Sequence, residues 1–429
     1  MQEKRFQNRI IFFTYALTIL VIWVHSVNLA PEVLAAAGFT VNTASALVDA
    51  LGGAVGLSGA AGLGGAASAG AGKFFSTFSP SFYQFACSLE RFFTDTLGQT
   101  AVPGFFMVSA YLFFRTLPKD SGKPFPVLKL DWVLQKWKRR VFSLFLPFVI
   151  WNLLYYFLHL LSGWAGALFH LPQAEQVPLD VQTLVSAALH YTYNPVFWYL
   201  FQLCLLTLLA PLLFYLVRGK KTGAAVLFLS FLAAVFWEKL PVHVVNEDAL
   251  FYYLLGIYGA LHKKPLIEAG RHAGRALLLA AGLLVLWYLA FETGILPEAF
   301  CMLPLAVIAR AVLFRAAVPL VLYFLLTLFM ERGAEKAQTR KELQEPKNPP
   351  AFMRITFFIY ATHYLIIKLI NAFLFSVLSK EAVLTGGSML ILLLVYFLLP
   401  TICTAAAYTA SCVLKACAPR LWGLLSGGR

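Results

Sequence analysis

The sequence predicts an all-α membrane protein, a polytopic bundle of about ten transmembrane helices with both termini cytoplasmic. Three observations predict it. The 429 residues are 60% hydrophobic and only 13% charged, with a mean hydropathy of +0.75, which leaves too little polar surface for a soluble globular chain of that length. Apolar runs of roughly 18 to 25 residues recur, as at 10–29 and 141–161, and this is the length a helix needs to cross a hydrocarbon core of about 30 Å. The runs do not alternate polar with apolar residues, which excludes a β-barrel. Finally, 27 of the 34 Lys and Arg residues fall in segments on one side of the chain as it weaves, the pattern that holds loops in the cytoplasm.

Taken in order, the expected spans are 10–29, 95–114, 142–161, 197–217, 222–239, 249–262, 276–292, 315–331, 355–377 and 387–412. The first follows Lys4, Arg5 and Arg9 and superficially resembles a signal peptide. It is too long for one and lacks a small-residue cleavage site behind Trp23 and His25, so it reads as a spanning helix. Residues 30–94 read as a Gly/Ala-rich outer loop, because 50–72, though uncharged, is too weakly hydrophobic to favour insertion. Residues 115–141 and 332–354 are basic cytoplasmic loops, too short to build cores of their own. Residues 299–331 exceed one span, and Pro304 and Pro319 are expected to break them, leaving a re-entrant or amphipathic piece around Arg310 and Arg315. The chain thus reads as a single integral-membrane domain, 1–429.

The formal charge of +14 is explained by those loops, and no nucleic-acid partner is implied; the partner that composition requires is the lipid bilayer. Cys87, Cys204, Cys301, Cys403, Cys412 and Cys417 form no CxxC or Cys/His cluster, so no metal site is expected and the thiols read as apolar filler. P-loop, GxGxxG, HExxH and GxSxG motifs are all missing, which argues against the common soluble chemistries.

The polar side chains placed within spans are the functional candidates. His25 lies in the outer part of the first span, in Trp23-Val24-His25-Ser26-Val27-Asn28. A neutral imidazole facing the bundle interior can act as a general base on a hydroxyl; the other reading is an interfacial His in a belt with Trp23 and Asn28. His363 falls near mid-bilayer, where it is either functional or bonded to a neighbouring helix. Helical rise places the two histidines at depths differing by roughly 10 Å, so they need not be direct partners. Lys136, Lys138, Arg139 and Arg140, joined by Arg115, form a cationic mouth at the inner surface, explained by topology alone or by recognition of donor phosphates. Ser109 follows Pro103-Gly104 in a segment suited to close helix packing. Asn152, and Trp198 with Tyr199, stand at membrane edges, as an aromatic belt or as partners for a sugar. Glu90, Arg91 and Asp95 precede the second span and Glu238 and Glu292 end the fifth and seventh; such outer-edge carboxylates read as solvated, an active role for one of them being the other reading.

These pieces resemble acyltransferase family 3, the multi-pass membrane O-acyltransferases that decorate bacterial surface glycans. The matching segments are Val21-Ile22-Trp23-Val24-His25, Ala101 to Leu112 with its Pro103-Gly104-Phe105-Phe106, Arg139-Arg140 followed by Pro147 to Trp151, Phe197-Trp198-Tyr199-Leu200, Tyr253-Leu254-Leu255-Gly256, Ile359 to His363, and Gly427-Gly428-Arg429. Together they run the length of the chain. The resemblance implies a ten-helix fold in the bacterial inner membrane and an acyl-CoA co-substrate, acetyl-CoA being the expected one, with no tightly bound cofactor. It also implies an acceptor hydroxyl on an extracytoplasmic glycan or lipid-linked sugar. By carry-over, His25 handles the proton, with His363, Asn28, Ser109, Asn152 and Trp198 as further catalytic or acceptor-site candidates; Arg115, Lys138, Arg139 and Arg140 hold the acyl-CoA. The chain departs from the pattern at Thr14, where many members carry Arg, at Ala110 in place of Gly, and at Ser143, where a second Arg of the cytoplasmic pair is common. Beside this O-acetyltransferase reading stand a transporter or flippase without acyl chemistry, for which no internal repeat speaks, and a sensor or scaffold.

Overall fold

A computed structural model describes residues 2–30, 33–34, 80–118, 126–168, 177–236, 245–269, 304–339, 348–378 and 386–428, with short pieces at 278–279, 282–283 and 285–286. No strand occurs among the described residues. The helices, in order, are α1 (Gln2–His25), α2 (Pro80–Arg91), α3 (Ala101–Phe114), α4 (Leu130–Arg140), α5 (Leu146–Leu168), α6 (Val181–Leu189), α7 (Trp198–Val217), α8 (Lys220–Phe236), α9 (Glu247–His262), α10 (Lys264–Ala269), α11 (Pro304–Thr339), α12 (Thr356–Leu378), α13 (Gly386–Cys417) and α14 (Pro419–Ser426). Among the described residues, seven helical stretches are long and apolar enough to cross a membrane: Glu3–His25, Phe82–Phe114, Leu130–Ala165, Pro195–Val217, Ala311–Glu331, Ala351–Leu378 and Gly387–Cys417. The expected span at 249–262 forms a helix, α9, of 16 residues, shorter than a perpendicular crossing requires, and that at 222–239 is helical, as α8, as far as Phe236, where the described residues pause. Most of 276–292, and the whole of 50–72, lie outside the described residues.

Three boundaries differ from the sequence-based expectation. The helix leading into the second span starts at Pro80 instead of 95, since Tyr83, Ala86 and Glu90 share one face and bury it. It then passes through a π-helical turn, Phe92–Leu97, and a 3₁₀ turn, Gly98–Thr100, into α3. The basic loop 115–141 contains a true helix, α4, joined to α5 by a second π-helical turn, Val141–Phe145. Residues 304–339 form one 36-residue helix, which corrects the expectation of a break. Pro304 is the first described residue of that helix, and Pro319 is held inside it against α3, its Cβ 3.1 Å from where a Cβ on Gly104 would stand. Arg315 on this helix is paired with Asp248 at 3.2 Å.

The described residues divide into two compact units: 1–18, 99–361 and 407–429 in the first, and 19–98 and 362–406 in the second. In the first unit, α3 and α9 approach through glycine. A Cβ on Gly256 would lie 2.3 Å from the Met107 carbonyl oxygen, so only the smallest residue permits this crossing. Aromatic rings fill the space between α5, α7 and α12: Phe197 stacks on Tyr360 at 5.8 Å and on Phe148 at 6.0 Å. The chain ends on α14, where Gly427 takes the left-handed conformation (φ 69°) that closes a helix. Its missing side chain leaves room for the Ser143 carbonyl, 2.6 Å from the Cβ position, while Trp151 donates to the Leu425 carbonyl at 3.0 Å. The second unit packs Leu29, Leu34, Tyr83, Ala86, Met389 and Leu392 around the segment that follows α1.

Candidate active site

His25 is the last residue of α1, and several backbone groups of the chain on either side of it are hydrogen-bonded. The Trp23 carbonyl accepts from the Ser26 amide at 3.1 Å and from the Thr94 hydroxyl at 3.3 Å. Thr94 in turn shares a hydrogen bond of 2.9 Å with the Tyr396 hydroxyl. Beyond His25, the carboxyl group of Glu90 accepts from two successive amides, Asn28 at 2.9 Å and Leu29 at 3.0 Å. The Asn28 side chain donates to the Leu392 carbonyl at 2.9 Å, and Tyr83 donates to the Leu29 carbonyl at 3.1 Å. Glu90 is 2% exposed, so the expectation of a solvated outer-edge carboxylate is corrected: its partners are backbone amides enclosed with it.

The imidazole so placed is half-buried and packs against His363, ring centroids 5.4 Å apart, and Tyr364, at 5.8 Å. His363 is completely buried. Arithmetic from Arg9 and Arg354 sets the two rings at different depths because it assumes that both arginines mark one level. They do not. Arg354 sits in the 3₁₀ turn Ala351–Ile355 ahead of α12, bonded to the Pro349 carbonyl, and the neighbouring Phe352 meets Tyr15, well up α1, at 5.5 Å. Counting on from that contact, position 25 on α1 and position 363 on α12 arrive at the same height.

The cationic candidates separate into three situations. Arg115 is engaged: its guanidinium forks onto Glu3 at 2.8 and 2.5 Å and reaches Glu268 at 2.6 Å, while Tyr111 donates to Glu268 at 3.0 Å. These carboxylates, Glu3 foremost, push the Arg115 guanidinium above its already high range. Arg9 joins the same cluster by donating to the Glu268 carbonyl at 2.8 Å. Lys138 and Arg139 are exposed on the last turn of α4. Arg140, next in sequence, turns inward, donating to the Ser109 carbonyl at 3.4 Å with its guanidinium 5.9 Å from the Phe113 ring; this contact brings Ser109 and Arg140 together.

Asn152 is 2% exposed and lies between Phe148 and Tyr155 on α5, whose rings meet Phe197 in the turn just before Trp198. Its amide finds no hydrogen-bond partner among the described residues, and the same holds for Asn194, fully buried at the head of that turn. Trp198 is half-buried at the start of α7. The Thr14 hydroxyl shares its one hydrogen between carbonyls of its own helix, Ile10 (2.9 Å) and Ile11 (3.2 Å), and so supplies no charge in place of the family's arginine. Among the described residues no group of three His, Cys, Asp or Glu side chains is placed to hold a metal ion.

Helices throughout the described residues, seven of them of spanning length, and an imidazole pair at a helix end define a multi-pass membrane protein with a group able to move protons. A family model described as an acyltransferase domain, that of acyltransferase family 3, matches residues 63–411. That is most of the chain, which therefore belongs to this family and is an acyltransferase, transferring groups other than aminoacyl groups. No curated protein and no solved structure matches the chain. His25 precedes the matched residues, whereas His363, Ser109, Asn152, Trp198 and the whole basic turn fall within them. In the second unit, sequence reasoning undervalued Glu90 and passed over Thr94, which bond to the segment around His25; in the first, it passed over the buried Asn194.

Proposed function

We propose that the protein is a membrane-bound O-acyltransferase, an O-acetyltransferase in the first instance. In this reading it carries an acyl group from cytoplasmic acyl-CoA to a hydroxyl of an extracytoplasmic glycan or exopolysaccharide, from a ten-helix bundle in the bacterial inner membrane with both termini cytoplasmic. The observation that carries this reading is the placement of His25: a half-buried imidazole beside a backbone fixed by Glu90, Thr94 and Asn28, backed by the enclosed ring of His363. Family membership supplies the reaction class.

The imidazole of His25 takes the proton of the acceptor hydroxyl as its oxygen attacks the thioester carbonyl carbon. The C–O bond forms, the tetrahedral intermediate collapses with loss of the C–S bond, and the leaving thiolate takes the proton from the imidazolium, which restores the neutral ring. His363 and Tyr364 hold the orientation of His25. Lys138 and Arg139, exposed and free of competing carboxylates in ion-pair contact among the described residues, take the donor's phosphates; Arg115 serves as a structural cation because two carboxylates already occupy it. The buried amide of Asn152 and the ring of Trp198 serve the acceptor sugar.

The test uses the purified chain in sealed vesicles supplied with acyl-labelled acetyl-CoA and a glycan acceptor. Label moving covalently onto the acceptor, released by mild alkali, supports the reading. Accumulation of intact solute without labelling overturns it in favour of a transporter.

A further inference from the structure

A groove of about 500 Å³ opens along the first unit between the α4–α5 junction and α7. Its walls are hydrocarbon, from Leu144, Phe145, Phe148, Phe201, Leu205 and Leu208. Phe145 and Leu208 are 43% and 61% exposed, so the groove opens sideways, onto the surface that a spanning bundle turns toward lipid. Arg140 lines it next to Trp137, which donates to the Thr207 carbonyl, and His190 lines it against Phe201, six residues earlier on α7.

Arg140 is the unusual feature. The carbonyl it touches, Ser109, lies six residues before Arg115 on α3, about 9 Å of helical rise into the bundle from that helix end. A cation carried to such depth calls for an anion. Among the described residues no carboxylate forms an ion pair with it; its contacts are the long bond to Ser109 and the face of Phe113. Lys138 and Arg139 are exposed on the same turn, Lys136 shares the Phe113 ring with Arg140, and of these cations it is Arg140 that lines the groove. From Arg140 to Phe148 the groove runs about 12 Å at helical rise, close to the roughly 15 Å depth of a single leaflet's hydrocarbon.

We infer that this groove is a binding site for one anionic phospholipid of the leaflet bordering α4, with its phosphate on Arg140 and one acyl chain along Leu144, Phe148 and Leu205. Charge and shape select this occupant together. A hydrocarbon tail directly continuous with a phosphate matches a cation at the head of an apolar trough. The pantetheine arm of an acyl-CoA does not match it, because its two amides would be buried against leucine and phenylalanine. The inference stands whether or not the protein carries out acyl transfer.

The test is retention of lipid by the full-length, delipidated chain offered equal amounts of phosphatidylglycerol and phosphatidylcholine in detergent, counted by native mass spectrometry. The wild type should retain one phosphatidylglycerol in about fivefold preference, the affinity one cation contributes toward an anionic lipid. Arg140→Gln should bring the ratio to about one. Leu208→Trp, which fills the trough at an exposed position, should cut retention of both lipids with the melting temperature unchanged, and it decides the matter should Arg140→Gln fail to fold. Equal retention of the two lipids by the wild type, undiminished retention by Leu208→Trp, or release of the bound lipid by coenzyme A would each overturn the assignment, the last by giving the groove to the nucleotide donor.

Discussion

Glu90 provides the sharpest handle on how His25 is positioned. Its two carboxyl oxygens each take one backbone N–H, from Asn28 and Leu29, at 2.9 and 3.0 Å, in a setting only 2% exposed. Glu90→Ala leaves both amides enclosed and unpaired, at roughly 1–3 kcal/mol each, or about 2–6 kcal/mol in total. The segment after α1 recovers most of that loss by opening to water, so the damage falls on the local structure around His25 before it falls on global stability. If opening displaces the imidazole for most of the time, a local cost of about 3 kcal/mol lowers turnover by roughly a hundredfold. Glu90→Gln keeps one acceptor oxygen and should fall between the two. The assay compares kcat and KM for acyl transfer with amide exchange of residues 26–29 by mass spectrometry. A loss confined to kcat, with faster exchange in this segment, supports the positioning role; Glu90→Ala that keeps both turnover and slow exchange refutes it.

Gly256→Ala must push α9 away from the Met107 carbonyl, since the added Cβ would stand 2.3 Å from it; a destabilisation of about 1–3 kcal/mol is expected, read as a lower melting temperature of the detergent-solubilised protein. Arg139→Gln should raise KM for acyl-CoA about tenfold and leave melting unchanged, whereas Arg115→Gln should lower the melting temperature by releasing Glu3 and Glu268 from their shared partner. Asp180 caps α6 by accepting from the Thr183 amide (2.8 Å) and hydroxyl (2.7 Å), which hold its carboxyl below the ordinary carboxylate range. A depressed folded-state value means that its contribution is present above the usual Asp range near pH 4 and fades as pH falls through the lowered one. The melting difference between wild type and Asp180→Ala should therefore be full at neutral pH and vanish in acid.

Much of the architecture was legible because hydrophobic runs of spanning length are a one-dimensional signal, and among the described residues seven of the ten expected spans reappear as helices able to cross. The irregular parts were not legible. A helix beginning at Pro80 has an amphipathic face with only moderate apolar content, and its helicity follows from burying Tyr83, Ala86 and Glu90. Pro319 reads as a breaker in isolation, yet neighbouring helices hold the chain helical across it. At the site, His25 and His363 stood out as ionisable groups in apolar runs, but their pairing was hidden: depth inferred from flanking arginines assumes that all helices start level, and Tyr15 against Phe352 shows that α1 and α12 do not. Glu90 was undervalued because it binds backbone amides, which leave no trace in side-chain spacing. Likewise, nothing in Arg115 or Arg140 reveals that one meets Glu3 and Glu268 while the other faces a groove; that follows from elements distant in sequence.

The most direct test is alkali-labile acyl content of the cell-surface glycan in cells whose only copy of this protein is His25→Gln, with membrane insertion and melting matched to wild type. A general-base role for His25 predicts that the acyl groups disappear while the protein remains folded in the membrane. Acyl content at the wild-type level would remove this imidazole from the chemistry and, with it, the account of the site.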